Sequence, residues 1–216
     1  LPLIGLIVVS CLMGLASDSF FSVNNIMNVL RQVSVVGILA VGMTFVILTG
    51  GIDLSVGAVM ALVGTLAAGL MVNTGLPAAL ALGIGLLTGL GIGMANGALV
   101  AWGRMPAIIV TLATMGMARG LGLIYSGGYP ISGIPSWISW FGVGRLGPVP
   151  VPVIIMVVIY AAAWLLLQRT PFGRHVYALG GNETAARLSG VKTRRVKLTV
   201  YAISGLTSAL AALVLT

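Results

Sequence analysis

The stretch Gly50-Gly51-Ile52-Asp53-Leu54-Ser55-Val56-Gly57-Ala58 lies between two long apolar runs, VSVVGILAVGMTFVILT before it and VMALVGTLAAGLM after it. Asp53 is one of only three acidic residues in the chain, with Asp18 and Glu183. A charged Asp at the centre of a bilayer costs about 2.5–3.5 kcal/mol, so it must meet a partner, a cavity or the membrane edge. Gly50 and Gly51 are poor residues for a helix interior and free the backbone to break. Asp53 can then cap a helix that restarts near Leu54, accepting from the N–H groups of Ser55 and Val56. The positive end of the new helix would stabilise the carboxylate. The stretch reads as a helix break followed by a restart.

Composition places that break in a membrane. Of 216 residues, 59% are hydrophobic and only 6% charged, where a soluble domain carries about 25% charged residues. So few charges cannot cover a water-facing surface, and lipid must cover most of the chain. The net charge of +8 is not a nucleic-acid signature, because its distribution is one-sided. Arg169, Arg174, Arg187, Lys192, Arg194, Arg195 and Lys197 place seven of the eleven basic residues in one polar segment, with Glu183 alone against them. Clustered Lys and Arg in a short loop mark the cytoplasmic side. Cys11 is single and lies in an apolar run, so neither a disulfide nor a thiolate metal site is expected.

About 20 apolar residues span a bilayer, and the sequence divides accordingly. Leu1–Ala16 is a first run, and Asp18–Asn25 a polar break. Ile26–Gln32 reads as a short interfacial segment ahead of Val33–Thr49. Val56–Val72, Ala78–Trp102, Ala107–Ser126 and Val153–Gln168 follow, and a seventh run opens at Leu198. Asn73–Pro77 is a turn. Gly127–Pro152 is too rich in Gly, Pro and Ser to span, and Trp137 and Trp140 suit an interface. With the basic loop inside, Gly127–Pro152 and Asn73–Pro77 lie outside, Arg104 lies inside, and Gly50–Ser55 falls in the inner half. The expected fold is all-α and polytopic, with six to seven transmembrane helices. Residues 1–216 form a single transmembrane domain, and 169–197 are a cytoplasmic loop within it. The chain lacks an initial Met and both ends fall inside apolar runs, so truncation at both ends is expected.

Gly85, Gly89, Gly93 and Gly97 repeat every four residues and form a smooth stripe that lets two backbones approach closely. Gly57, Ala61, Thr65 and Gly69 repeat less strictly. Enzyme signatures are mostly missing. There is no H-E-x-x-H, G-x-S-x-G or Walker A sequence, and His175 stands alone in the basic loop. The G-x-G-x-x-G at Gly142–Gly147 has no preceding strand and runs into PVPVP rather than a helix, so it fails its context test. The sequon at Asn182–Thr184 falls in the loop placed inside.

The basic loop has its own local structure. Gly180 and Gly181 break what precedes them, Asn182 is a good N-cap, and Glu183 sits in the first turn near the helix's positive end. Ala185, Ala186, Arg187 and Leu188 continue a short helix, and Gly190 suits its C′ position. Such a helix either docks on another protein or lies at the headgroups.

LTGGIDLSVGA (Leu48–Ala58) and GRHVYALGGNETAARLSGV (Gly173–Val191) resemble the two signature stretches of the ribose/xylose/arabinose-type ABC importer permeases. The run MTFVILTG and Met117–Ser132 are also similar, and the resemblance covers the chain in order. It implies an inner-membrane homodimer forming the pathway for a monosaccharide. It implies a periplasmic binding protein that delivers sugar and a cytoplasmic ATPase whose cleft receives the short helix at Gly180–Gly190. ATP and Mg would belong to that partner, so this chain would hold no cofactor and no metal, bind no nucleic acid, and hydrolyse nothing. The competing readings are a secondary transporter or channel, for which Asp53 and Arg119 are the ionisable candidates, and an intramembrane enzyme, for which no convergent pair exists. Thr49, Asp53, Ser55, Asn96 and Tyr125 are the candidate pathway residues, each with hydrogen-bonding groups for sugar hydroxyls. For Asp53, capping and contact with sugar or gate remain open together.

Overall fold

The computed structural model describes residues 2–215. Ten helices follow one another: α1 Pro2–Ala16, α2 Val23–Leu48, α3 Val56–Val72, α4 Ala78–Ala101, α5 Ala107–Ser126, α6 Ser136–Val143, α7 Val151–Arg169, α8 Pro171–Gly181, α9 Glu183–Leu188 and α10 Thr193–Leu215. A two-residue-stranded hairpin, β1 Arg145–Leu146 with β2 Val149–Pro150, separates α6 from α7. By length and composition α2, α4, α5, α7 and α10 are able to cross a membrane, and α1 and α3 are shorter apolar helices. The protein is an all-α multi-pass membrane protein. Leu12, Leu87, Ile124 and Val158 are among many large apolar side chains left exposed, as a lipid-facing surface requires.

Three boundaries differ from expectation. The interfacial segment at Ile26–Gln32 is the first part of α2, not a separate element. Ser22 caps it by accepting from the Asn25 N–H at 3.3 Å, and the Asn25 amide donates to the Phe20 carbonyl at 2.8 Å. At 1.5 Å per residue this helix is about 39 Å long, so its polar first turns project beyond the hydrocarbon. The outer segment is not wholly irregular, since Ser136–Val143 is helical and buries Ile138. The last run begins at Thr193 rather than Leu198, taking Arg194, Arg195 and Lys197 into the helix. Cations at a helix N-terminus oppose its dipole, but Lys197 meets the Glu183 carboxylate at 2.8 Å.

α10 is the central post, with more than half of its spanning window buried. Gly89, Gly93 and Gly97 of α4 face its backbone. A Cβ on Gly89 would sit 2.7 Å from the Gly205 carbonyl, one on Gly93 would overlap the Tyr201 carbonyl, and one on Gly97 would lie 2.9 Å from the Leu198 Cα. Gly85 turns to Val63 of α3 instead. Along α3, Gly69 receives the Tyr125 ring, whereas Gly57 has open space beside it and Ala61 is exposed.

Candidate functional site

The chain between α2 and α3 turns back into the protein. Gly50 adopts φ +76°, a conformation other residues enter at a cost, and it reverses the direction of the chain after α2. Gly51 then packs under the Tyr201 hydroxyl, where an added Cβ would lie 2.7 Å away. The Ile52 carbonyl accepts from the Thr111 hydroxyl at 3.3 Å and, more weakly, from Tyr201 at 3.5 Å.

Asp53 sits behind this turn and is 2% exposed. Its Oδ1 accepts from the Ser55 N–H at 2.9 Å and from the Ser55 hydroxyl at 2.6 Å. Its Oδ2 accepts from the Ser204 hydroxyl of α10 at 2.7 Å. The Asn96 amide of α4 donates to Ser55 Oγ at 3.1 Å, and the Thr114 hydroxyl of α5 donates to Asn96 Oδ1 at 2.6 Å. One hydrogen-bonded chain therefore joins the start of α3 to α4, α5 and α10. Among the described residues no buried side-chain nitrogen or oxygen lacks a partner. The helix proper starts at Val56, later than the expected start near Leu54, and Ser55 is its N-cap residue. Asp53 takes the Ser55 N–H from outside the helix and gives its second oxygen to Ser204.

Depth follows from helix geometry. Ser204 lies eleven residues into α10, about 16 Å from its first residue, and Asn96 lies about 8 Å from the last residue of α4. The network lies between the middle of α10 and the end of α4 that faces the basic cluster. Beneath it opens a cavity of about 880 Å³, roofed by Thr49, Gly50, Gly51 and Tyr201. Arg104, Arg187 and the basic start of α10 form its walls. Asp53, Ser55 and Asn96 are not among its lining residues. Thr49 faces it, with its hydroxyl bonded to the Val46 carbonyl at 2.8 Å. Tyr125 lies apart, near the outer end of α5 against Gly69. The structure thus unites three of the five candidate pathway residues and separates the other two.

The basic segment between α7 and α10 is built in two parts. Thr170 caps α8 with Pro171 at its first turn, and Val176 and Leu179 are buried against Phe45, Val196 and Val200. Gly180 and Gly181 end α8, as their break signal predicts, and α9 follows directly. A Cβ on Gly180 would overlap the Leu48 carbonyl, at the end of α2 and next to the break. Asn182 Oδ1 accepts from the Ala185 N–H at 2.9 Å and starts α9. Ala186 turns inward, whereas Ala185 and Arg187 are exposed and Leu188 is 82% exposed. Gly190 ends the helix with φ +86°.

Ser204, Thr111, Thr114 and Tyr201 are the partners that sequence reading missed. Ser204, Thr207 and Ser208 recur on one face of α10, and Thr111 and Thr114 on one face of α5. Those spacings were the available signal. Among the described residues no three His, Cys, Asp or Glu side chains converge.

Residues 25–216 match the family described as "Branched-chain amino acid transport system / permease component". The ribose import permease protein of Bacillus subtilis (strain 168) is 48% identical over all of this chain and 67% of its own length. That of Escherichia coli (strain K12) is 44% identical over 98% of this chain and 67% of its own length. The D-allose transport system permease protein of Escherichia coli (strain K12) is 37% identical over 97% of this chain and 64% of its own length. No solved structure matches.

Proposed function

The chain belongs to that family of transport-system permease components, and from this premise we propose that it is the membrane-spanning permease of an ATP-binding cassette importer that carries a monosaccharide, ribose or a related sugar. The observation that carries the proposal is 48% identity to a ribose import permease across the whole chain. The protein is a transport subunit, not an enzyme. ATP is bound with Mg and hydrolysed in a separate cytoplasmic ATPase, a periplasmic binding protein delivers the sugar, and two copies of the chain enclose the pathway in the inner membrane.

The geometry supports a division of labour. The exposed α9, with Leu188 outermost, is the ATPase contact. α8 is seated on the end of α2 through the Gly180–Leu48 approach, so a displacement of α9 reaches Thr49 and Gly50 through backbone contact. Those residues roof the inner cavity. Asp53 holds the far end of the turn to α10, so the roof moves against a fixed post.

The test is reconstitution of the chain with its ATPase and binding protein in liposomes. Labelled ribose or a related sugar should accumulate only with internal ATP, the ATPase and the binding protein all present. Accumulation without ATP and without either partner would contradict the proposal.

A further inference from the structure

Of the four helices joined at the break, α3 is the shortest. Its 17 residues make it about 26 Å long, less than the roughly 30 Å of a bilayer's hydrocarbon. The break cuts it off from α2, so no continuous helix sets its tilt. What steadies it is α5.

Thr111, Thr114, Ala118, Gly122 and Tyr125 recur every three or four residues and so share one face of α5. At the end near the break, the Thr111 hydroxyl donates to the Ile52 carbonyl at 3.3 Å. A threonine in an apolar helix ordinarily bonds its own backbone, as Thr44 and Thr88 do. Thr114 instead donates to Asn96 Oδ1 at 2.6 Å, and the Asn96 amide donates to Ser55, the N-cap residue of α3. In the middle, Ala118 is buried in one cluster with Val59, Leu62 and Val63. A Cβ on Gly122 would lie 3.8 Å from the Leu62 Cα. At the far end the Tyr125 ring is seated on Gly69, where any Cβ would overlap it. Gly is a poor residue inside a helix, and here it leaves room for that ring. Ser55 and Gly69 lie about 21 Å apart along the axis. The last turns of α3 carry a further load, because Ile138 of α6 is buried in one cluster with Ala67 and Met71.

We propose that α5 splints α3 into one rod and that Tyr125 is the positioning residue that closes the splint at its far end. A shift of the break then carries α3, α5 and the α6 segment together instead of tilting α3 alone. Under the import reading, the rod connects the ATPase end of the chain with the face that takes sugar from the binding protein. That connection rests on the import reading; the splint does not.

The experiment separates the two. A chain whose native cysteines, Cys11 among them, are replaced by Ser carries Leu62→Cys with Gly122→Cys. The two backbones are close enough for a disulfide, whose Cα atoms lie about 4.4–6.8 Å apart. In membranes holding the permease without sugar or nucleotide, mild oxidant should join the pair. Adding Tyr125→Ala should slow the joining about tenfold, whereas Tyr125→Phe keeps the ring and should leave the rate unchanged. An unchanged rate in Tyr125→Ala would overturn the splint. In the assembled importer, the joined pair should leave ribose uptake within about twofold of the same protein after reduction. Uptake lost on oxidation and regained on reduction would overturn the rod, because α3 and α5 would then have to move apart. Tyr125→Ala should also cut the stimulation of ATP hydrolysis by ribose-loaded binding protein about tenfold, with ATPase co-purification unchanged. Full stimulation in that variant would overturn the connection between the two faces. A parent importer with neither uptake nor stimulation would contradict the import reading, and the oxidation rates would still decide the splint.

Discussion

Asp53 and Glu183 are both carboxylates just ahead of a helix or in its first turn, yet they do different work. Asp53 is 2% exposed and accepts from three donors on two helices. Glu183 has half of its side chain in solvent and meets one lysine. Inside the membrane, where water cannot substitute, a carboxylate survives by being saturated with donors, and it then fixes the parts that supply them. At the exposed basic segment the same group is cheap to expose and is held by a single ion pair.

That difference is best broken by Asp53→Ala, which should have the largest effect. It leaves the Ser55 and Ser204 donors buried without an acceptor. Each costs about 1–3 kcal/mol, so the purified protein should lose about 3 kcal/mol of unfolding stability in detergent denaturation. A loss below that of an ordinary surface substitution would show that the network does not hold α3 to α10.

Gly180→Val probes the contact between the two regions. The new side chain overlaps the Leu48 carbonyl, and overpacking of this kind costs about 1–3 kcal/mol. ATP-driven uptake should fall about fivefold or more, with the ATPase still bound. Full uptake would detach the basic segment from the break.

Leu188→Asp places a charge on the most exposed apolar residue of α9. It should weaken ATPase binding about tenfold, measured by co-purification, with membrane insertion intact. The smallest effect belongs to Glu183→Gln, which removes a half-exposed ion pair and should change unfolding stability by less than about 1 kcal/mol. A loss as large as that of Asp53→Ala would erase the contrast.

Much of this was legible in the sequence because its signals are local. Gly50-Gly51 marks the break, and Asn182 and Gly190 bracket α9. What escaped is pairing between distant segments. Nothing near Asp53 names Ser204, 151 residues away, as its partner. The start of α10 escaped because Arg194, Arg195 and Lys197 look like loop residues, whereas the Lys197–Glu183 pair lets them enter the helix. The start of α2 escaped because Asn24, Asn25 and Arg31 interrupt the apolar pattern, although a long helix carries them beyond the hydrocarbon.

Asp53, saturated by Ser55 and Ser204, acts through its hydrogen bonds rather than its charge. Asn can keep the geometry: its carbonyl accepts from Ser55, and its amide donates to a Ser204 hydroxyl that has rotated to accept. The decisive measurement is ATP-driven ribose uptake by Asp53→Asn in liposomes with ATPase and binding protein. Uptake within about fivefold of the parent is expected, corresponding to a loss near 1 kcal/mol. A variant that inserts, binds its ATPase and transports nothing would contradict it.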